Sequence, residues 1–232
     1  VAGRKFDGNG QPGEPCDVSL PGPGPEGTLK PDVSWYSTLR VLGGDVVTAT
    51  SYPTPLVASL AAHTFHNLKE PSADLVRALL LNRTDIERFE TQRGWGSPNG
   101  VHLPWTCQPG TVTLAWRGEL RPGQIHYWER IPIPPSLMRN GGLRGKGVLT
   151  AILNPHPMIS EETDANYFAA RLEVALQYTG PSGETKNLLG TLKTSELREM
   201  RARAELHKWN PVRHMRRDFS QIPLTISGNR SE

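Results

Sequence analysis

The chain has 232 residues and a net charge of +3, a length between one large domain and two ordinary ones. With Gly counted and Tyr left out, the apolar share is roughly 44%, close to the globular norm, which excludes a wholly disordered chain. No apolar run approaches the ~18 residues a membrane helix needs, and no signal-peptide pattern opens the chain, so no membrane partner is expected.

Charge and cysteine usage narrow the field further. Residues 1–110 carry 9 Lys/Arg against 11 Asp/Glu, and residues 111–232 carry 17 against 12. The densest basic stretch holds Arg198, Arg201, Arg203, Lys208, Arg213, Arg216 and Arg217, with Trp209 alone among them. So little aromatic interleaving reads as a solvated face, with polyanion binding as a minor alternative, and no nucleic-acid partner is expected. Cys16 and Cys107 are too few for a disulfide framework. One long-range disulfide is open, but two free thiols in a reducing compartment fit better, which slightly favours a cytoplasmic setting and leaves a secreted one open. No CxxC or paired His/Cys spacing suggests zinc, and Glu161, Glu162 and Asp164 lack the spacing of a calcium cage. No metal or cofactor is expected.

In chain order, residues 1–30 are rich in Gly and Pro and end in Pro21-Gly22-Pro23-Gly24-Pro25-Glu26-Gly27. Such a stretch reads as an ordered loop or a frayed terminus, neither helix nor central strand. Residues 53–68 read as a helix, because Leu56, Val57, Leu60, Ala61, Thr64, Phe65 and Leu68 recur with its period. Thr50 and Ser51 are candidates for its N-cap, and Pro53 suits its first turn. A second helix is expected over about 72–82, capped by Ser72, with Asp74 at the positive end and Leu75, Val76, Leu79 and Leu80 as its stripe.

The pattern changes after Gly94-Trp95-Gly96-Ser97-Pro98-Asn99-Gly100, which puts a boundary near residue 100. Strands are expected at Thr111–Trp116, Ile125–Ile133, Gly147–Leu153, Tyr167–Tyr178 and in part of Val212–Ile226, punctuated by Arg121-Pro122-Gly123, Asn140-Gly141-Gly142 and Gly180-Pro181-Ser182-Gly183. Thr191 to His207 is ambiguous between helix and strand. The expectation is therefore an α/β part over 1–100 and an all-β sandwich over 101–232. Five of the six Trp lie at or beyond Trp95, as filling of a sandwich core or as anchors of a binding surface; core filling is the favoured reading.

The sharpest chemical feature is Thr48-Ala49-Thr50-Ser51-Tyr52-Pro53-Thr54-Pro55-Leu56-Val57-Ala58. A hydroxyl where a helix begins lies beside unpaired N–H groups and the positive end of the helix dipole, which favour a nucleophile and the oxyanion it creates. Most serines so placed are caps and do no chemistry.

This segment resembles the catalytic-serine motif Gly-Thr-Ser-x-Ala-x-Pro of subtilisin-like serine proteases. Gly22-Pro23-Gly24-Pro25-Glu26-Gly27-Thr28-Leu29-Lys30-Pro31-Asp32-Val33 is similar to the stretch that family places a strand and a loop before the serine. Val76-Arg77-Ala78-Leu79-Leu80-Leu81 looks like its next helix, and Gly94-Trp95-Gly96 like the glycine-rich close of the protease domain. Residues 101–232 more loosely resemble the β-sandwich, jelly-roll-like, that follows the protease domain in some bacterial members, through Arg130-Ile131-Pro132-Ile133-Pro134 and Lys208-Trp209-Asn210-Pro211-Val212. Two positions depart from the motif: Ala49 stands for Gly and Pro53 for Ala.

The resemblance implies a serine endopeptidase with Ser51 as nucleophile, its backbone N–H turned to the oxyanion, and peptide or protein as substrate. It also implies an Asp and a His earlier in the chain than the serine. Asp7, Asp17, Asp32 and Asp45 precede Ser51, none in the family's context, and no His precedes it at all. His63 and His66, 12 and 15 residues on along the helix, lie roughly 18–22 Å away at ~1.5 Å rise per residue. His102, His126, His156, His207 and His214 have no motif around them. The expectation is a C-terminal piece of a longer protease, inactive alone, partnered by the N-terminal part of the same enzyme. The alternative is a non-catalytic β-sandwich module with a binding or structural role.

Overall fold

The computed structural model describes residues 1–24, 27–98, 103–129, 131–139, 142–154, 171–180, 182–192 and 210–219. The chain divides into two compact units: Val1–Thr106 with Thr150–Leu172 and Glu196–His214, and Cys107–Leu149 with Glu173–Ser195 and Met215–Glu232. Among the described residues, α-helices occur only before residue 100 and everything later is strand, turn, a single 3-10 turn or irregular chain. This content is consistent with a mixed α/β part followed by a β-rich part.

The first unit is built on β1 (Ala2–Phe6), the central strand of a three-stranded sheet. β2 (Pro12–Pro15) pairs with it antiparallel, and β3 (Ser34–Tyr36) pairs parallel, with Ala2 opposite Ser34 and Arg4 opposite Tyr36. This corrects the reading of residues 1–30 as loop throughout. Gly and Pro cluster after residue 7, and Ala2–Phe6 contains just one Gly, so the composition of the whole stretch hid a short strand. Arg4 is buried and fastens this strand to the rest of the unit. Its guanidinium donates to Pro12 O (2.6 Å), Gly13 O (2.8 Å), Asp85 Oδ2 (2.7 Å) and Ser97 Oγ (3.0 Å). So many partners offset the cost of burying the charge.

β4 (Thr38–Arg40) and β5 (Val46–Thr48) form an antiparallel hairpin. α1 (Pro53–Asn67) and α2 (Ala73–Asn82) match the expected helices within a residue or so. Ser72 caps α2 as expected, its hydroxyl accepting from Leu75 N–H at 3.2 Å, worth about 1 kcal/mol. α1 differs from expectation on two counts. Its cap position is Tyr52, with no side-chain cap bond, so neither Thr50 nor Ser51 caps the helix. Its apolar pattern is also only partly covered: Val57 and Thr64 are buried, while Leu56 and Phe65 stand 36% and 46% exposed. Val33, Val57, Val76, Leu80, Leu81, Trp95 and Val212 make one core cluster.

In the β-rich part a 3-10 turn (Pro135–Leu137) leads into β6 (Met138–Arg139), which pairs with β7 (Gly142–Leu143). β8 (Lys146–Ile152) pairs with β11 (Val212–Asp218). Leu153 N–H donates to Pro211 O at one end of that pair, and Phe219 N–H to Gly145 O at the other, both at 2.8 Å. β9 (Val174–Thr179) and β10 (Thr185–Thr191) pair antiparallel. Leu143, Leu188 and Phe219 form a small separate core.

Of the expected strands, those near 147–153, 174–178 and 212–218 form. Thr111–Trp116 and the described residues of 125–133 do not become strands, because alternation marks the face a strand would bury but does not supply a partner ladder. Residues 193–209, with most of the ambiguous and basic stretches, lie outside the described residues. Arg213 and Arg216 do not form the expected solvated face: Arg213 is 8% exposed in β11 and Arg216 is half-buried. Trp95 fills a core, whereas Trp116 and Trp128 are 47% and 42% exposed, contrary to the favoured core-filling reading. Both cysteines are free thiols, Cys16 buried and Cys107 exposed. No described helix is long and apolar enough to cross a membrane.

Candidate functional site

Ser51 is placed by a relay of backbone bonds that starts in the central strand. Ser37 donates to Arg4 O through both its N–H (3.0 Å) and its hydroxyl (2.9 Å). Ala49 N–H then donates to Ser37 O at 2.9 Å, and Tyr52 N–H to Ala49 O at 3.3 Å. The hairpin makes this possible: pairing Thr38 with Thr48 brings Ser37 and Ala49 side by side, and the two threonine hydroxyls sit 2.8 Å apart. Ser51 lies in the tight turn between the hairpin and α1, exposed.

Neither the hydroxyl nor the backbone N–H of Ser51 has a hydrogen-bond partner among the described residues. Both are thus open to a ligand. The helix start beside them is poorer in donors than an ordinary one. Of its first three residues, Pro53, Thr54 and Pro55, only Thr54 carries an N–H. The Pro53 ring is buried at the first helical position, where a fixed φ suits the helix. Ala49 is half-buried, its N–H bonded to Ser37 O.

No base faces the hydroxyl among the described residues. His63 and His66 are exposed on α1, and Asn67 Nδ2 donates to His63 O near the far end of that helix. His214 is buried in β11, its Nδ1 2.8 Å from Thr150 Oγ1 and its ring 5.0 Å from that of Trp95. His126 stacks on Trp116 in the second unit. His102, His156 and His207 lie outside the described residues, as do Glu161, Glu162 and Asp164. Of the aspartates before Ser51, Asp32 is taken by Arg77 at 2.8 Å and Lys30 at 3.2 Å, and Asp17 by Lys5 at 2.8 Å. Asp7 Oδ1 accepts from the Asn9 and Gln11 N–H groups.

The four sequence stretches singled out above converge on one another. Val33, Val57, Leu81 and Trp95, one from each stretch, share a single core cluster. Asp32 bonds Arg77, Trp95 N–H donates to Asp32 O at 3.0 Å, and Ser34 N–H donates to Gly96 O at 2.9 Å. Position 94 requires a glycine: its φ is +64°, and a Cβ there would come 2.4 Å from Pro31 O and 2.6 Å from Asp32 O. Beside this cluster an apolar cavity of about 620 Å³ opens between α1 and α2, walled by Val57, Ala61, Phe65, Val76 and Leu80 and reaching Val1. Its polar rim is the Asp32–Arg77 pair. Ser51 does not line it. Nothing in the residue pattern signals this cavity, since helical periodicity marks an apolar face whether or not anything covers it.

Comparison of the chain with protein-family models, with curated proteins and with solved structures finds no match.

Proposed function

We propose that Ser51 is the nucleophile of a subtilisin-like serine endopeptidase. Its Oγ attacks a peptide carbonyl to give an acyl-enzyme, the amine leaves, and water hydrolyses the ester. The Ser51 N–H donates to the oxyanion of each tetrahedral intermediate, and the small first-turn donor set leaves Thr54 N–H as its nearest helical companion. The base and its orienting carboxylate come from polypeptide other than residues 1–50, which contain no His. No His among the described residues faces Ser51 either; on this reading the chain alone is inactive, and the N-terminal part of the same protease is its partner.

The observation that carries this reading is the convergence of the four motif stretches into one core around a parallel β1–β3 pair, with Ser51 open at the start of the helix packed on it. The β1–β3 pair is the parallel pair of a mixed three-stranded sheet, and all-parallel sheets with helices packed on them are covered on both faces. The open face of α1 and the apolar cavity are what such a sheet would need its remaining strands and helices to cover. For the β-rich part we propose the jelly-roll-like sandwich. A second reading, a non-catalytic binding module, draws on exposed Trp116 and Trp128.

The test is hydrolysis of an unstructured protein such as casein by the protein isolated from its source cells, with and without Ser51→Ala. The proposal expects activity that the substitution lowers by about a thousandfold or more. Activity unchanged by Ser51→Ala, or no activity in the source-cell form, would overturn it.

A further inference from the structure

The segment from Thr111 to Leu120 has a strict two-residue alternation. Even positions hold Val112, Leu114, Trp116, Gly118 and Leu120; odd positions hold Thr111, Thr113, Ala115, Arg117 and Glu119. That is the pattern of a half-buried strand. Yet no strand, helix or turn occupies it. Among the described residues its one backbone–backbone bond is the turn contact from Thr111 N–H to Gln108 O. Its apolar face lies open: Val112 is 41%, Leu114 39%, Trp116 47% and Leu120 45% exposed. The Trp116 indole leans over Gly118, where an added Cβ would approach it to 2.4 Å, so residues two apart do share a side. Open ladder groups beside a row of apolar side chains form a pairing edge.

Charge selects the occupant. In an antiparallel pair of two copies centred on Gly118, residues equidistant from that glycine lie opposite each other. Arg117 of each copy then meets Glu119 of the other, and Trp116 meets Leu120, each pair occurring twice by the two-fold axis. Arg117 and Glu119 are exposed, and neither has an ion-pair partner among the described residues. The segment is complementary to itself in one register, as a two-fold interface requires. Pro122, inside the Arg121–Gln124 turn, ends the strand on the next apolar-face position after Leu120.

We propose that residues 115–121 pair antiparallel with the same segment of a second copy of this chain, closing a two-fold dimer through the Trp116–Leu120 pairs on one face and the Arg117–Glu119 pairs on the other. The inference stands on this segment alone and is independent of the role of Ser51.

The experiment is sedimentation velocity of the full chain across about 1–200 µM, comparing wild type, Arg117→Glu, Glu119→Arg and the double exchange. Each single reversal places like charges opposite each other in both pairs and weakens dimerisation about tenfold. The double exchange restores wild-type affinity. Mixing the two single variants also restores it, because one chain then carries glutamate at both positions and its partner arginine at both. Charge changes at these exposed sites leave folding intact, checked by far-UV circular dichroism. A monomeric wild type over the whole range, or a dimer indifferent to the reversals, would overturn the proposal. So would single variants that do not recover on mixing.

Discussion

Gly94→Ala separates two costs that the fold imposes at one position. The backbone at Gly94 has φ +64°, a conformation that costs an L-residue about 1–2 kcal/mol. The added methyl would also meet Pro31 O at 2.4 Å and Asp32 O at 2.6 Å, both backbone atoms that cannot swing aside. Relieving that overlap displaces a turn held by Gly94 N–H to Glu90 O (2.7 Å), Glu90 N–H to Gly94 O (3.0 Å) and Trp95 N–H to Asp32 O (3.0 Å). Overpacking of this kind costs about 1–3 kcal/mol more. Gly43→Ala is the control in the same unit: its φ is +70°, and an added Cβ there has nothing within 4 Å. Urea unfolding followed by circular dichroism should place the Gly94→Ala midpoint about 0.5–2 M below that of Gly43→Ala, given slopes of about 1–3 kcal/mol/M. Equal midpoints would show that the Gly94 turn is not pressed against the Pro31–Asp32 backbone, and the convergence of those two stretches would lose its physical basis.

Leu81→Ala, at a side chain 1% exposed in the first core, should cost about 2–5 kcal/mol in the same assay, against less than about 0.5 kcal/mol for Leu42→Ala at the fully exposed hairpin tip. A double-mutant cycle on Asp32→Ala and Arg77→Ala should give a coupling of about 0.5–1 kcal/mol, since both side chains keep a quarter to a third of their exposure and water screens the pair. Just before β10 the Glu184 carboxylate is held down to about 2 by hydrogen bonds from Lys186 and Ser182. Its folded-state value lies below the unfolded one, so its stabilisation is present above about pH 4.5 and fades as pH falls towards 2. Titration by carboxyl-carbon NMR should find that low midpoint and see it rise in Lys186→Ala; an ordinary midpoint in wild type would refute the pairing.

What the sequence discloses follows from local physics. The period at Val57, Leu60, Ala61 and Thr64 and the Ser72 cap locate both helices, because these depend on neighbours three and four residues away. The 146–152 and 212–218 strands show through β-branched or alternating runs. Ala2–Phe6 does not, because a short central strand is made by its partners Pro12–Pro15 and Ser34–Tyr36 and not by its own composition. β10 is hidden for the same reason: Thr185-Lys186-Asn187 carries no apolar alternation of its own and becomes strand by pairing with Gln177–Thr179. Alternation at Thr111–Trp116 misleads in the opposite sense, promising a ladder that the described chain does not complete. At the site, the helix following Ser51 is legible, but the shift of the cap to Tyr52 is not. It comes from the turn bond of Tyr52 N–H to Ala49 O, which rests on the distant Ser37.

A fluorophosphonate probe reads the reactivity of the Ser51 hydroxyl directly. Peptide mapping by mass spectrometry after exposure to the probe should find the adduct on Ser51 in the protein taken from its source cells. Residues 1–232 on their own, with no base opposite that hydroxyl among the described residues, should remain essentially unlabelled. Stoichiometric labelling of Ser51 in the isolated chain, or none in the source-cell form, would contradict the assignment of Ser51 as the nucleophile of a protease completed by other polypeptide.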